Sequence, residues 1–394
     1  MPKYAPIHKR VKRHVIGREH HFFVAAPPAL AGLIDRELRQ LLVAENELQR
    51  RPGGFGFRGR LTDAYRINLQ SRLSNRVLMQ VSSFKATSFR RLAQKLSELP
   101  WELYLYGESA LKIRVSTHKC RLYHSSAIAE RAQEQVRRQL AQFGLAPVEE
   151  RHFDQVQHLF IRGVNDRFSV SVDSSGDHLY KRGIKTHGGR APLRENLAAA
   201  VLQLAGYDGQ MPLLDPMCGS GTFSLEAALM AANIPPGWFR RFAFMEWPSF
   251  VDRRWQHLRK QHEAVMRKTG KAAILAFDID GAACEALKQT LRRHHVADWI
   301  TVDRKDFFDF SPGEWTGSKG VVVLNPPYGR RFTTAADQSG LDSIFKQLTR
   351  FYKGWRLALV SPRKSLNRKL PFEVKIYPIA HGGLAAAVAI GEIT

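Results

Sequence analysis

The amino-acid sequence predicts an α/β protein whose second half is a doubly wound, mostly parallel sheet and whose first half is α+β. Three features carry that expectation. From residue 195 onward, apolar strand-like runs alternate with helix-like runs, as parallel sheets require. One of those runs, LLDPMCGSGTFSLEA (213–227), passes from a strand through a glycine turn into a helix. From about 20 to 180 the strands and helices are shorter and the rhythm less regular. With 394 residues and 44% hydrophobic content, the chain is long enough for two or three domains with buried cores.

In the first half, HFFVAA (21–26) reads as a strand, and LAGLIDRELRQLL (30–42) as a helix behind Pro27 and Pro28. GGFGFRG is a short strand opened by glycines, LTDAYRINLQ a helix, and RVLMQVSSF (76–84) a strand. A helix begins at Ser88 and runs over 88–99. ALKIRVST (110–117) alternates as a strand. SSAIAERAQEQVRRQLAQFG (125–144) is a long amphipathic helix, capped by serine and closed by Gly144. HLFIRGVNDRFSVSVDSS reads as a hairpin turning at Asn165-Asp166. These elements suggest two small lobes, 21–85 and 86–176.

In the second half, ENLAAAVLQLAGY is a helix, followed by the strand, turn and helix of 212–233. AAILAFDID, WITVDRKDFFDF, VVVLNPP and WRLALVSP read as strands, with helices at AACEALKQTLRRHH and LDSIFKQLTRFYKG between them. PFEVKIYPI and LAAAVAIGEI look like two antiparallel edge strands. Residues 238–270 interrupt the alternation as an insertion.

The net charge is +24, with a pI near 10.3. Residues 1–189 hold 32 Lys/Arg and 17 Asp/Glu, a net of +15; the remainder holds 28 and 19, a net of +9. Such a balance favours a polyanion partner, nucleic acid before an anionic membrane surface, with the front half as the grip. No run approaches the length of a membrane-spanning helix. The start, MPKYAPIHKRVKRHVIGREHH, is a basic arm (1–20) expected to be disordered, and it lacks the apolar core of a secretory signal. Cys120, Cys218 and Cys284 are scattered without zinc spacing. No metal is expected, and the sparse cysteines fit a reducing cytosol.

Three acidic or glycine-rich features fall at successive strand ends, where open α/β sheets bind ligands. Asp215 precedes a turn in which Gly219 and Gly221 let a ligand approach the backbone, and Thr222 opens the helix. Asp278, directly after an apolar run, is suited to accept both hydroxyl protons of a ribose; Asp280 reads as a helix cap. Asp306 is placed to accept from an adenine amine, or else caps a turn. Cys218 reads as a small residue fitting the turn. A fourth feature, VVVLNPPYG (321–329), ends a strand with an amide, two prolines and an aromatic. An exocyclic amine is a poor nucleophile because its lone pair is delocalised into the ring. The Asn325 side-chain oxygen and the Pro326 carbonyl can hold its two N–H bonds, stiff prolines keep both acceptors aimed, and Tyr328 offers a stacking face.

Turn, ribose acid, adenine acid and NPPY in this order resemble class I S-adenosylmethionine (SAM) methyltransferases, and NPPY resembles the motif of enzymes that methylate exocyclic amines. HLYKRGIKTHGGRAPLRENLAAAVLQLAGYDG (178–209) is similar to the lead-in of THUMP-domain RNA methyltransferases, with Ile184 where an aromatic is usual. KIRVSTHKCRLYHSSAIAERAQ (112–133) resembles the THUMP core, and the segments before it resemble a ferredoxin-like lobe. The likeness spans nearly all of 20–394 and points to bacterial 23S rRNA guanine-N2 methyltransferases, without the second methyltransferase their larger relatives append. It implies a Rossmann-like class I sheet over 177–394 behind ferredoxin-like and THUMP lobes. It also implies SAM as cofactor, held by Asp215, Gly219, Gly221, Thr222, Asp278, Asp306 and Asn325, and catalysis by Asn325, Pro326 and Tyr328. RNA contacts are expected from Lys119, Arg121, Arg182, Arg190 and Arg194, with Arg72, Arg76, Arg90 and Arg91 as further candidates. A tRNA guanine-N2 enzyme, an adenine-N6 enzyme and a catalytically silent RNA-binding assembly factor are the alternatives.

Overall fold

The computed structural model describes residues 6–42, 47–105, 110–145, 156–184, 193–267, 273–294, 296–326, 334–367, 370–381 and 384–394. The chain forms two compact units, one of 1–179 with 240–260 and the other of 180–239 with 261–394.

The first unit runs α1 (Ile7–Val11), β1 (His20–Ala25), α2 (Ala31–Leu41), β2 (Gln49–Arg51), β3 (Gly54–Gly59), α3 (Leu61–Gln70), β4 (Arg76–Lys85), α4 (Phe89–Ser97), β5 (Ala110–His118), α5 (Ser125–Ala141), β6 (Val156–Val164) and β7 (Arg167–Asp173). Its strands make one seven-stranded sheet in the order β2-β3-β1-β4-β7-β6-β5. The two expected lobes therefore share a sheet. The long strand β4 pairs with β1 on one side and with β7 on the other, the β7 ladder shifting register between Gln80 and Ser82, so one sheet spans both lobes.

Local signals read from the sequence hold in several places. Ser88 accepts from the Arg91 N–H and caps α4, and Asn165 and Asp166 turn the β6–β7 hairpin with φ of 49° and 60°. Gly144 closes α5 at φ 70°. The serine cap of α5 is not made: His124 occupies the cap position and no side chain bonds there. The basic arm is also ordered where described. Val11 and Val15, four residues apart, are buried, and Arg10 forms an ion pair at 2.7 Å with the buried Glu102. A carboxylate buried at Glu102 needs a cation, and the arm supplies it.

The inserted segment 240–260 packs within this first unit. Phe244 stacks on Tyr65 at 4.2 Å between ring centroids, and Trp255 meets both rings edge-on. The Arg240 guanidinium donates to the Ser175, Asp177 and His178 carbonyls.

The second unit runs α6 (Glu195–Leu204), β8 (Leu213–Asp215), α7 (Thr222–Ala231), then, after α8 (Asp252–Glu263), which lies mostly in the first unit, β9 (Ile274–Asp278), α9 (Gly281–His294), β10 (Ile300–Arg304), β11 (Val321–Leu324), α10 (Thr334–Phe351), β12 (Arg356–Pro362), β13 (Lys375–His381) and β14 (Leu384–Glu392). The sheet order is β10-β9-β8-β11-β12-β14-β13. Its first five strands are parallel, and β14 joins antiparallel to β12. Of the two C-terminal strands only β13 is an edge; β14 lies inside because its backbone pairs with β12 on one side and with β13 on the other. The chain order reverses between β8 and β11, so their carboxyl ends border a crevice, the place where such sheets bind ligands.

Candidate active site

Four strands of the second unit, β10, β9, β8 and β11, present their carboxyl ends side by side. The turn after β8 is built from its own residues. Asp215 is buried, and its Oδ2 accepts from Ser224 Oγ at 2.6 Å and from the Ser224 N–H at 3.2 Å. The carboxylate thus ties the strand end to the first turn of α7 and acts on the site by holding that turn. Gly219 and Gly221 adopt φ of 49° and 70°, a region glycine enters without strain. A Cβ on Gly221 would lie 2.4 Å from Leu287 of α9, whereas one on Gly219 would meet nothing within 4 Å. Gly221 is therefore a packing glycine, and Gly219 leaves open space over the backbone.

Asp278, half-buried at the end of β9, accepts from the Gly219 N–H through Oδ2 at 2.8 Å and from the Asp280 N–H through Oδ1 at 3.0 Å. A carboxylate has about four acceptor positions, so two bonds leave capacity for ribose hydroxyls. Asp280 caps α9 by accepting from the Ala282 N–H, as its position in the sequence suggested. Asp306 accepts from the Phe308 N–H at 2.9 Å and caps a short turn, the plainer of the two roles expected of it; it remains half-exposed. Burial, aided by the nearby Asp215 and Asp278 charges, pushes the Cys218 thiol far up, so it stays protonated and fits the turn as a small apolar group.

Two residues escaped the sequence reading. Ile279 follows Asp278 and is 65% exposed; Phe308 follows the Asp306 turn and is 44% exposed. Large apolar side chains left open at adjacent strand ends suit the two faces of a flat heterocycle. The signal was present as an apolar residue just beyond each strand-end acid.

β11 is fully buried from Val321 to Leu324, and Pro326 is buried beyond it, so Asn325 stands on a rigid lip. Tyr328 and Arg190 lie outside the described residues. Arg182, expected to contact RNA, does not face solvent. It is 3% exposed and pairs with Glu226 of α7, 1% exposed, through Nε to Oε1 at 2.8 Å and Nη2 to Oε2 at 3.3 Å. A buried fork-to-carboxylate pair of this kind ties the lead-in segment to the helix behind the glycine turn. Arg76 is corrected in the same way: it is buried and paired with Asp173. Arg72 sits half-buried beside Glu37. Arg194 is exposed, its guanidinium 5.2 Å from the centroid of the Tyr180 ring. Arg90 and Arg91 are exposed on α4. Lys119 and Arg121 are exposed in the loop after β5, which is anchored by a 2.7 Å bond from the Arg121 N–H to Asp166. In the same loop Tyr123 is 65% exposed, an aromatic that the sequence reading passed over.

Comparison with known proteins bears on the fold and the family. Residues 182–373 match the RMKL-like methyltransferase domain, and 21–78 match the RlmL ferredoxin-like domain. The chain is 30% identical to the "Putative RNA methyltransferase slr0064" of Synechocystis sp., over 94% of this chain and 96% of that one. It is 33% identical to "Ribosomal RNA large subunit methyltransferase K/L" of Allochromatium vinosum, over 89% of this chain and 49% of that one. It thus spans about half the length of its K/L relatives. Among solved structures, "SMU.472, a putative methyltransferase complexed with SAH" superposes with a TM-score of 0.82 at 26% identity, covering 96% of this chain and 99% of that one. Among the described residues no helix is long and apolar enough to cross a membrane. The chain belongs to the RlmL-like methyltransferase family.

Proposed function

We propose that the protein transfers a methyl group from SAM to the exocyclic N2 amine of a guanine in RNA, with 23S ribosomal RNA as the substrate. The observation that carries this reading is the juxtaposition of the Gly219 turn, Asp278, Asp306 and Asn325-Pro326 at four neighbouring strand ends. The residues present fit SAM. Gly219 has open space where a side chain would stand, Asp278 is half-exposed beside it, and Ile279 and Phe308 are exposed apolar surfaces. Asp278 would hold the ribose and Asp306 the adenine amine, with Asp215 and Thr222 shaping the turn. When bound, SAM supplies an electrophilic methyl group on a cationic sulfur, which nearby carboxylates favour.

The chain's own contribution is orientation. The Asn325 side-chain oxygen and the Pro326 carbonyl accept hydrogen bonds from the two N–H groups of the target amine and direct its lone pair at the methyl carbon; as the N–C bond forms and the S–C bond breaks, the surplus N–H proton passes to solvent. Pro326 has no N–H and a fixed φ, and the buried β11 anchors it, so this pair of acceptors is preorganised. Tyr328 is assigned the stacking face for the base, and Lys119, Arg121 and Arg194 the RNA backbone. The names of the K/L relatives support ribosomal RNA of the large subunit as the target.

The test is mass mapping of modified nucleosides in RNA from cells with and without the protein. Loss of N2-methylguanosine from 23S rRNA is the expected result. Its loss from tRNA instead, or loss of N6-methyladenosine, would replace the substrate or the amine. No lost methyl on any RNA, with SAM still bound, would favour a silent assembly factor.

A further inference from the structure

We propose that the open face of the first unit's sheet binds an unpaired RNA segment, centred on a cleft between Phe23, His118, Arg162 and the Pro52–Gly53 turn. This deepens the functional reading and rests on its claim that the partner is RNA.

The strand alternation separates the two faces over the outer part of the sheet, whereas around Ser171, Asp173 and Arg76 both faces are buried. Leu159 and Ile161 of β6, and Phe168, Val170 and Val172 of β7, are buried on one side. On the other side, Arg162 lies in register with Ser116 of β5 and Ser169 of β7, and Phe160 with Arg114 and Ser171. The same face continues through Lys85, in register with Arg167, to His21 and Phe23 of β1. Lys85, Arg114, Arg162 and Arg167 are exposed there. Among the described strand residues of that face the carboxylate is Asp173, which is buried and already paired with Arg76. A polar sheet face with several cations and no free acid matches a phosphate backbone.

The shape matches an unpaired nucleotide. The cleft has a volume of about 520 Å³, within the range of pockets that hold small ligands. Phe23 is half-exposed at its floor, and His118 and Arg162 line its side. Arg162 Nη1 donates to the Pro52 carbonyl at 3.2 Å, which draws the β2–β3 turn over the sheet as a roof. Gly53 within that roof has φ 85° and nothing within 4 Å of where its Cβ would stand, so a ligand can approach the backbone. A roofed cleft with an aromatic floor accepts a single base for stacking and excludes a duplex. A protein partner fits poorly. Among the described residues the exposed large hydrophobic side chains are Tyr123, Val265, Ile279, Phe308 and Ile376, and none is a strand residue of this face.

The test measures binding of the whole protein to a short fluorescein-labelled single-stranded RNA of mixed sequence, and to the same sequence in a blunt duplex, by anisotropy across a salt series. Arg114→Glu and Arg162→Glu are each expected to weaken single-strand binding about tenfold and to lower the salt slope by about one. Arg253→Glu, an exposed charge on α8, serves as the control and is expected to change binding little. Phe23→Ala should weaken binding several-fold, and Phe23→Tyr should restore it. SAM affinity and far-ultraviolet dichroism should stay as in the wild type. Wild-type affinity in Arg114→Glu and Arg162→Glu would overturn the surface, as would an equal loss in Arg253→Glu or equal affinity for the duplex. The two readings separate. RNA methylated in cells with the variants binding normally removes the surface alone. Binding that depends on this face, with no RNA methylated, removes the functional reading alone.

Discussion

Asp278 Oδ2 accepts a hydrogen bond from the backbone N–H of Gly219 at 2.8 Å, joining the acid at the end of β9 to the turn after β8. The residue proposed to hold the ribose therefore also shapes the loop that faces the rest of the cofactor. Asp278→Ala should lower SAM affinity by tenfold or more in calorimetry and reduce stability by about 1–3 kcal/mol, because the turn's N–H loses its partner. Asp278→Asn keeps an acceptor for that N–H. It should recover most of the stability while affinity stays weak. Full affinity in either variant would remove Asp278 from the site.

The two glycines of the turn should respond differently. Gly221→Ala combines a left-handed backbone with a clash against Leu287 and should cost about 2–4 kcal/mol in denaturant unfolding. Gly219→Ala meets no neighbour, so its stability loss should be only about 1 kcal/mol. Its methyl group would occupy the open space over the backbone, and SAM affinity should fall by more than the stability change suggests. Equal effects of the two substitutions on stability would contradict the packing described.

Arg182→Ala should destabilise the second unit by about 3–5 kcal/mol by stranding the Glu226 carboxylate, as urea unfolding would measure. Replacing both residues with Met and Leu should recover most of that loss. RNA affinity in the double variant should match wild type, because the guanidinium is not at the surface. A selective loss of RNA binding with intact stability would restore the role first expected for Arg182.

Asn325→Ala should abolish methyl transfer while SAM affinity remains largely intact, since its assigned work is to hold the target amine. Single-turnover assays with labelled SAM would decide it; unchanged turnover removes Asn325 from the mechanism.

His158 of β6 should make the first unit's stability depend on pH. Burial, then the charges of Arg76, Arg114 and Lys112, lower its pKa from 6.5 to about 4. The unfolded chain binds the proton more readily, so this contribution is complete above about pH 6.5 and is lost as pH falls toward about 4. His158→Gln should flatten the stability profile across that window relative to wild type. Identical profiles for the two proteins would show that the imidazole does not titrate there.

Much of this molecule was legible in its sequence because the signals are local. Strand and helix alternation, the Ser88 cap, the Asn165-Asp166 turn and the glycine turn after Asp215 each depend on a few neighbouring residues, and backbone sterics carry them directly into structure. Asp215, Asp278 and Asp306 follow one another along β8, β9 and β10 as they do in the chain, and the reversal between β8 and β11 returns Asn325 to the side of Asp215, as the doubly wound topology requires. Tertiary packing decided the rest. A basic residue looks alike in sequence whether it meets solvent or a buried carboxylate, so only the fold could show that Arg182 and Arg76 are interior partners of Glu226 and Asp173. The arm's Val11 and Val15 needed a surface to bury against, and the inserted Phe244 and Trp255 needed Tyr65. The single sheet of the first unit depends on the long strand β4 pairing on both sides, a contact between distant segments that no local pattern encodes.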